Sequence, residues 1–139
     1  MEQRTWQLGA LPIPIINGQL FPSSEHAYAA AKSSDPTVIR AILATDDPAE
    51  AKKIGRTATL VEGWEASKFR VMESVVTSKF IQNPDLADRL RSAGGSLIVE
   101  GNVWHDQIWG SCSCSRHRDV PGGNALGVIL MAVRMRMVE

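Results

Sequence analysis

With 139 residues, 44% of them hydrophobic, the chain suits one domain and can bury a core without a covalent staple. Fifteen basic and fifteen acidic side chains cancel, which argues against a protein that clamps duplex nucleic acid with a basic surface. No apolar run approaches the roughly 20 residues of a membrane span, and residues 1–5 lack a signal-peptide pattern, so a cytoplasmic protein with no membrane partner is expected.

Over 6–21 the sequence is apolar, broken by Pro12 and Pro14, and carries the turn signal Asn17-Gly18. This predicts two short strands, roughly 7–15 and 19–21, the first confined by its prolines to an edge. Helices follow. Ser23 or Ser24 can cap one running through His26, Tyr28 and Lys32, and Pro36 opens another with Val38, Ile39, Ile42 and Leu43. Asp47-Pro48-Ala49-Glu50 combines a capping side chain, a proline at the first helical position and an acid at the third, and Gly55 reads as the end of that helix. A long helix is expected over about 62–82, then one from Asn83-Pro84 closed by Gly94-Gly95. A strand is expected over 96–100, and a last helix capped by Asn124 and running through Val138. With no repeat or linker, 6–138 reads as a single compact domain, mostly α with a few short β-strands.

The informative residues are those that break the local pattern. Val61, Trp64, Met72, Val75 and Val76 form a core-facing stripe on the long helix, and Lys68 falls on it. A lysine there snorkels, pairs with an acid or lines a polar cavity; in a cavity its ammonium suits a phosphate, and Trp64 offers a base a stacking wall. Glu25 lies in a first helical turn, where the helix dipole favours negative charge. His26 beside it is expected to be neutral. Residues 99–110 hold Glu100, Asn102, Trp104, His105, Asp106 and Trp109 in a stretch that fits neither helix nor strand, an ordered loop of the kind on which sites are built. Gly122-Gly123-Asn124 before the last helix can let backbone N–H groups reach an anion, although a flexible turn is the simpler reading. Cys112, Cys114 and His117 invite a zinc reading, but three ligands are one short of a closed site. His105 could complete the set, yet the Cys-x-Cys spacing is not the usual two-residue gap. The sequence alone therefore favours a surface loop with reduced thiols and no metal.

Five segments resemble, in order and over nearly the whole chain, the motifs of the NADAR, or YbiA-like, N-glycosidase family. They are Phe21-Pro22-Ser23-Ser24-Glu25-His26-Ala27-Tyr28, Trp64 through Lys68, Lys79-Phe80 with Gln82-Asn83-Pro84, Glu100-Gly101-Asn102 with Trp104-His105-Asp106 and Trp109-Gly110, and Asn124-Ala125-Leu126-Gly127 with Leu130, Met131 and Arg134. The resemblance implies a helical domain that hydrolyses the N-glycosidic bond between a phosphorylated ribose (ribose 5-phosphate or ADP-ribose) and a pyrimidine or guanine-type base. Two substrate classes follow: phosphoribosylamino-pyrimidine intermediates of riboflavin synthesis, and ADP-ribose attached to guanine. The partner would be such a small molecule or an ADP-ribosylated single-stranded nucleic acid.

On this reading Glu25 and Asp106 are the catalytic carboxylates, facing the positive charge that bond cleavage develops on the sugar or activating water. Asn102 would orient the substrate, Trp64 and Trp109 would stack, Lys68 would take the phosphate, and His26, Gly110 and Asn124 would line the binding site. No step demands a metal or redox cofactor. Two departures from the family pattern stand out: Gln7-Leu8-Gly9-Ala10 replaces an L-S-N-F run, and Ala29 replaces a glutamine. Both are expected at the entrance to the Glu25 helix, where they would either alter the base or sugar accepted or weaken catalysis. Two other classes remain open from sequence: a non-catalytic binder of ADP-ribose or a related nucleotide, and a zinc-stabilised interaction module.

Overall fold

The computed structural model describes residues 13–16 and 19–137. They form six helices and four very short strands, the mostly helical class that the sequence predicts. Two compact units are distinguished, one within 7–83 and the other within 84–139. No described helix is long and apolar enough to cross a membrane.

In the first unit β1 (Ile13–Ile16) pairs antiparallel with β2 (Gln19–Phe21), Ile16 opposite Gln19 and Ile13 opposite Phe21. Residues 7–12 of the expected first strand and the Asn17-Gly18 turn lie outside the described residues. Helix starts are set locally. The Ser23 side chain caps α1 (Ser24–Ala31) by accepting from His26 N, and Asp35 caps α2 (Pro36–Leu43) by accepting from Thr37 N. Asp47 does the same for α3 (Pro48–Thr57) through Ala49 N. Each such cap satisfies a donor that the first helical turn leaves open, worth about 1 kcal/mol. The long α4 (Trp64–Gln82) completes the unit. Its core joins Phe21, Ala27, Ala29, Ala30, Ile42, Ala51 and Val75.

Gly55 does not end its helix. It is buried inside α3, and a β-carbon there would lie 2.9 Å from the Ala29 β-carbon of α1. The glycine serves close packing of α1 on α3, a tertiary reason that local helix-stop rules cannot see.

The second unit holds α5 (Pro84–Ser92), β3 (Gly101–Asn102), β4 (Ser111–Cys112) and α6 (Ala125–Arg136). The strand expected over 96–100 is absent; immediately after it, β3 pairs parallel with β4. Backbone 98–100 is instead served by a side chain. Asn124 Nδ2 donates to the Ile98 carbonyl at 2.9 Å and its Oδ1 accepts from Glu100 N at 2.9 Å. Asn124 therefore sits at the N-cap position of α6, with left-handed backbone (φ 52°), but its side chain does not cap the helix. Leu126, Ile129, Leu130 and Val133 of α6 are buried, and Arg134 Nη1 donates to the Ser96 carbonyl at 2.8 Å.

Candidate active-site residues in the two units

In the first unit the chemistry gathers on α1 and α4. Glu25 is half-buried in the first turn of α1, and its carboxylate makes no hydrogen bond among the described residues. His26 next to it is fully buried with both ring nitrogens engaged, Nδ1 with Ser23 Oγ at 2.6 Å and Nε2 with the Thr45 carbonyl at 2.7 Å. A carbonyl only accepts, so Nε2 carries a proton, and Nδ1 is hydrogen-bonded to the Ser23 hydroxyl. That pairing suits a histidine that fixes the start of α1, and with it Glu25, more than one that contacts a ligand.

Trp64 is buried at the start of α4, its ring 5.2 Å from that of Tyr28 and tilted by 58°. Lys32 Nζ lies 5.2 Å over the Tyr28 ring. Lys68 pairs with Glu65 on its own helix at 2.6 Å, its ammonium 5.3 Å from the Phe69 ring centre. Among the described residues the fully enclosed lysine is another one. Lys79, later on α4, has no exposed surface, and its Nζ finds no hydrogen-bond partner among the described residues. Burial holds its ammonium down at about 8, while the charge of Glu25 pulls the other way. Burial also lowers Lys32, again opposed by Glu25 and reinforced by Arg56 and Lys52. Glu25 thus lies in the field of two partly desolvated lysines. Ser24 Oγ, its neighbour in sequence, is likewise buried without a hydrogen-bond partner among the described residues. Buried polar groups are normally satisfied, and perturbed titratable groups cluster at functional sites, which makes this cluster a candidate.

In the second unit the loop after β3 is organised by Asn102, which is buried. Its Nδ2 donates to the Asp106 carbonyl at 2.8 Å, and its Oδ1 accepts from Trp104 N at 3.2 Å and Asp106 N at 3.1 Å. Asp106 in turn accepts from Ile108 N at 3.0 Å and Trp109 N at 2.9 Å, both through Oδ1. Its Oδ2 makes no hydrogen bond among the described residues. Gly110 is buried because nothing larger fits: a β-carbon would fall 2.2 Å from the Glu100 carbonyl oxygen and 2.9 Å from Asn102 Nδ2. Trp109 is half-buried, whereas Trp104 is 64% exposed. Beside the loop, His105, Cys112, Cys114 and His117 converge.

A family model described as "NADAR domain" matches residues 3–138. The chain belongs to this family. It is 33% identical over 126 residues to a riboflavin biosynthesis protein of Vibrio vulnificus, an overlap covering 89% of this chain and 33% of that protein. The chloroplastic riboflavin biosynthesis protein PYRR of Zea mays is 34% identical over 93% of this chain and 22% of its own length. The chain thus spans a third or less of these two relatives. The N-glycosidase YbiA of Escherichia coli is 30% identical over 88% of this chain and 74% of its own length. The NMR structure of E. coli YbiA superposes with a TM-score of 0.78 at 30% identity, covering 92% of this chain and 73% of that one.

Within the NADAR frame, Glu25, Trp64 and Lys68 fall in the first unit, and Asn102, Asp106, Trp109, Gly110 and Asn124 in the second. The structure joins Asn102 directly to Asp106, and Asp106 to the Trp109 backbone. The Asn124 side chain is committed to the backbone of 98–100. Ala29 is 2% exposed and faces α3, so its departure from the family glutamine belongs to helix packing; Gln7–Ala10 lies outside the described residues. Lys79 stands in the sequence only as part of a motif. The signal that singles it out is its place on the buried Val75, Val76, Phe80 face of α4, where a charged side chain is costly to enclose.

Proposed function

We propose that this NADAR-family chain is a hydrolase that cleaves an N-glycosidic bond between a phosphorylated ribose and a nucleobase-like group. The observation that carries the reading is the buried, unsatisfied Lys79 ammonium in the field of the half-buried Glu25 carboxylate. Bond cleavage leaves positive charge on the ribose ring, which a fixed carboxylate stabilises in a poorly solvated setting. The departing base needs a proton at its glycosidic nitrogen. A lysine with a pKa of about 8 is matched to donate one near neutral pH. Water adds to the anomeric carbon, the base leaves with the Lys79 proton, and the proton lost by water restores the ammonium.

Trp64 and Tyr28 give the base an aromatic surface, and Lys68 exchanges Glu65 for the substrate phosphate. Asp106, with Oδ1 committed to backbone and Oδ2 uncommitted, is the second carboxylate that the family motifs put forward for catalysis. Trp109, Asn102 and Gly110 shape its loop, so they contribute to binding through Asp106 as well as directly. The names of the Vibrio and maize relatives favour a phosphoribosylamino-pyrimidine of the riboflavin type, and zero net charge favours a small substrate over a duplex. ADP-ribose on guanine is the competing substrate.

Product release by mass-detected chromatography tests this. The protein and Glu25→Gln would be incubated with the riboflavin-pathway ribosylamino phosphates and, separately, with an ADP-ribosylated guanine oligonucleotide. Glu25-dependent release of ribose 5-phosphate, or of ADP-ribose, supports the hydrolase and identifies the substrate. Ligand binding with no release from either would replace it with a nucleotide-binding role.

A further inference from the structure

His105, Cys112, Cys114 and His117 bring four metal-ligating atoms together within 4.8 Å of one another. His105 Nδ1 is 3.3 Å from His117 Nδ1, and Cys114 Sγ is 3.3 Å from the first and 3.2 Å from the second. Cys112 Sγ is 3.9 Å from His105 Nδ1. A tetrahedral zinc ion, with bonds of about 2.3 Å to sulfur and about 2.05 Å to nitrogen, separates two nitrogens by roughly 3.3 Å and a nitrogen from a sulfur by roughly 3.6 Å. The nitrogen pair matches that edge, and the three sulfur–nitrogen distances fall on either side of theirs.

The surroundings fit a metal centre better than they fit loose surface thiols. Both cysteines are free, and Cys112 is buried. Cys112 N donates to Gln107 Oε1 at 2.7 Å, and Gln107 Nε2 donates to the Val120 carbonyl at 2.9 Å, so one side chain ties β4 to the end of the loop. Cys114 N donates to Cys112 Sγ at 3.5 Å, the kind of N–H···S contact that steadies a thiolate ligand. His105 takes a left-handed backbone (φ 70°), unusual for a residue with a β-carbon, in a loop that brings its ring to Cys114.

We propose that His105, Cys112, Cys114 and His117 bind one zinc ion in a closed tetrahedral site that pins the loop carrying Asp106. Two thiolates and two imidazoles are an established zinc set, and four protein ligands leave no open position, so the role is structural. Binding displaces one proton from each thiol, and the histidines enter neutral through Nδ1. The one-residue Cys-x-Cys gap, a reason to doubt zinc from sequence, is overcome because Cys112 ends β4 while Cys114 lies in the turn beyond it. His105 neighbours Asp106 directly, so the metal would anchor the loop next to the residue that Asn102 holds. This inference is independent of the glycosidase reading, and its test needs no substrate.

The full chain would be purified without a metal-affinity tag and its metal content measured by mass spectrometry. One zinc per chain is expected, with both thiols unreactive until a chelator is added. The chelated protein, titrated with cobalt(II) alone, should develop the visible bands of tetrahedral cobalt and a thiolate charge-transfer band. Chelation should lower Tm by roughly 10 °C or more, as loss of a tight ligand requires. Cys112→Ser with Cys114→Ser should carry no zinc. Should that double variant not fold, His117→Gln serves instead, its cobalt spectrum weakened or shifted. A folded, zinc-free protein indifferent to chelator, a Cys112–Cys114 disulfide in the intact mass, or zinc retained by the cysteine-free variant would each overturn the proposal.

Discussion

The side-chain amide of Asn102 grips Asp106 through both of that residue's backbone groups, donating to its carbonyl at 2.8 Å and accepting from its N–H at 3.1 Å. Because Asn102 is buried and Asp106 spends one carboxylate oxygen on Ile108 N and Trp109 N, the loop is a relay of side-chain-to-backbone bonds. Asn102→Asp keeps the shape but replaces a donor with an acceptor facing the Asp106 carbonyl. A loss of about 2–3 kcal/mol is expected, measured by denaturant unfolding, with activity falling further than stability. Asn102→Asp with unchanged stability and turnover would remove Asn102 from the organisation of the loop.

The two carboxylates call for different controls. Glu25 makes no hydrogen bond among the described residues, so Glu25→Gln should leave Tm within a few degrees while lowering kcat by roughly 100-fold or more. Asp106 is also a structural acceptor. Asp106→Asn retains an oxygen for Ile108 N and Trp109 N, whereas Asp106→Ala does not. The expected pattern is lost turnover with near-normal Tm for Asn, and lost turnover with about 1–2 kcal/mol of lost stability for Ala. An active, stable Asp106→Asn would confine Asp106 to its capping role.

Gly55 and Ala29 bring α3 and α1 into close contact, and the chain's departure from the family at position 29 lies in that contact. Ala29→Gln, which restores the family residue, should destabilise by about 2 kcal/mol or more, since overpacking a site with no room forces the helices apart. Gly55→Ala should cost about 1–3 kcal/mol for the same reason. Thermal unfolding of both variants checks this. Full stability of Ala29→Gln together with an altered substrate preference would return position 29 to the substrate entrance.

The same contact shows where sequence reasoning runs out. Helix starts at Ser23, Asp35 and Asp47 are legible because a cap acts on an N–H two or three residues away. Gly55 is misread because a helix-ending glycine and a close-packing glycine are the same letter, and only α1 distinguishes them. The strand expected at 96–100 falls for a similar reason: its backbone partner is the side chain of Asn124, far along the chain. The family motifs point to Glu25, Asn102 and Asp106, but which lysine of α4 is enclosed depends on what packs around each turn. The Cys-x-Cys gap looks unfit for zinc because the path of the chain through β4 and the following turn is set by its pairing with β3.

Lys79 provides the sharpest test of the proposed chemistry, because function and stability should move in opposite directions. Its ammonium is buried without a hydrogen-bond partner among the described residues, so Lys79→Met should raise stability at neutral pH by roughly 1–3 kcal/mol while abolishing turnover. The pH dependence has a fixed sign. Burial lowers the folded-state value from 10.5 to about 8, so below about 8 both folded and unfolded chains hold the proton and its full destabilising effect is felt. Between about 8 and 10.5 the folded chain has released the proton and the unfolded chain has not, so the stability of the parent protein rises toward that of Lys79→Met as pH increases. Turnover should fall over the same rise, since a deprotonated amine has no proton to give the leaving base. Unfolding curves of both proteins from about pH 7 to 10, set beside kcat/KM of the parent over that range, check both limbs. A stability difference that ignores pH, or turnover that holds above about pH 9, would take Lys79 out of the reaction.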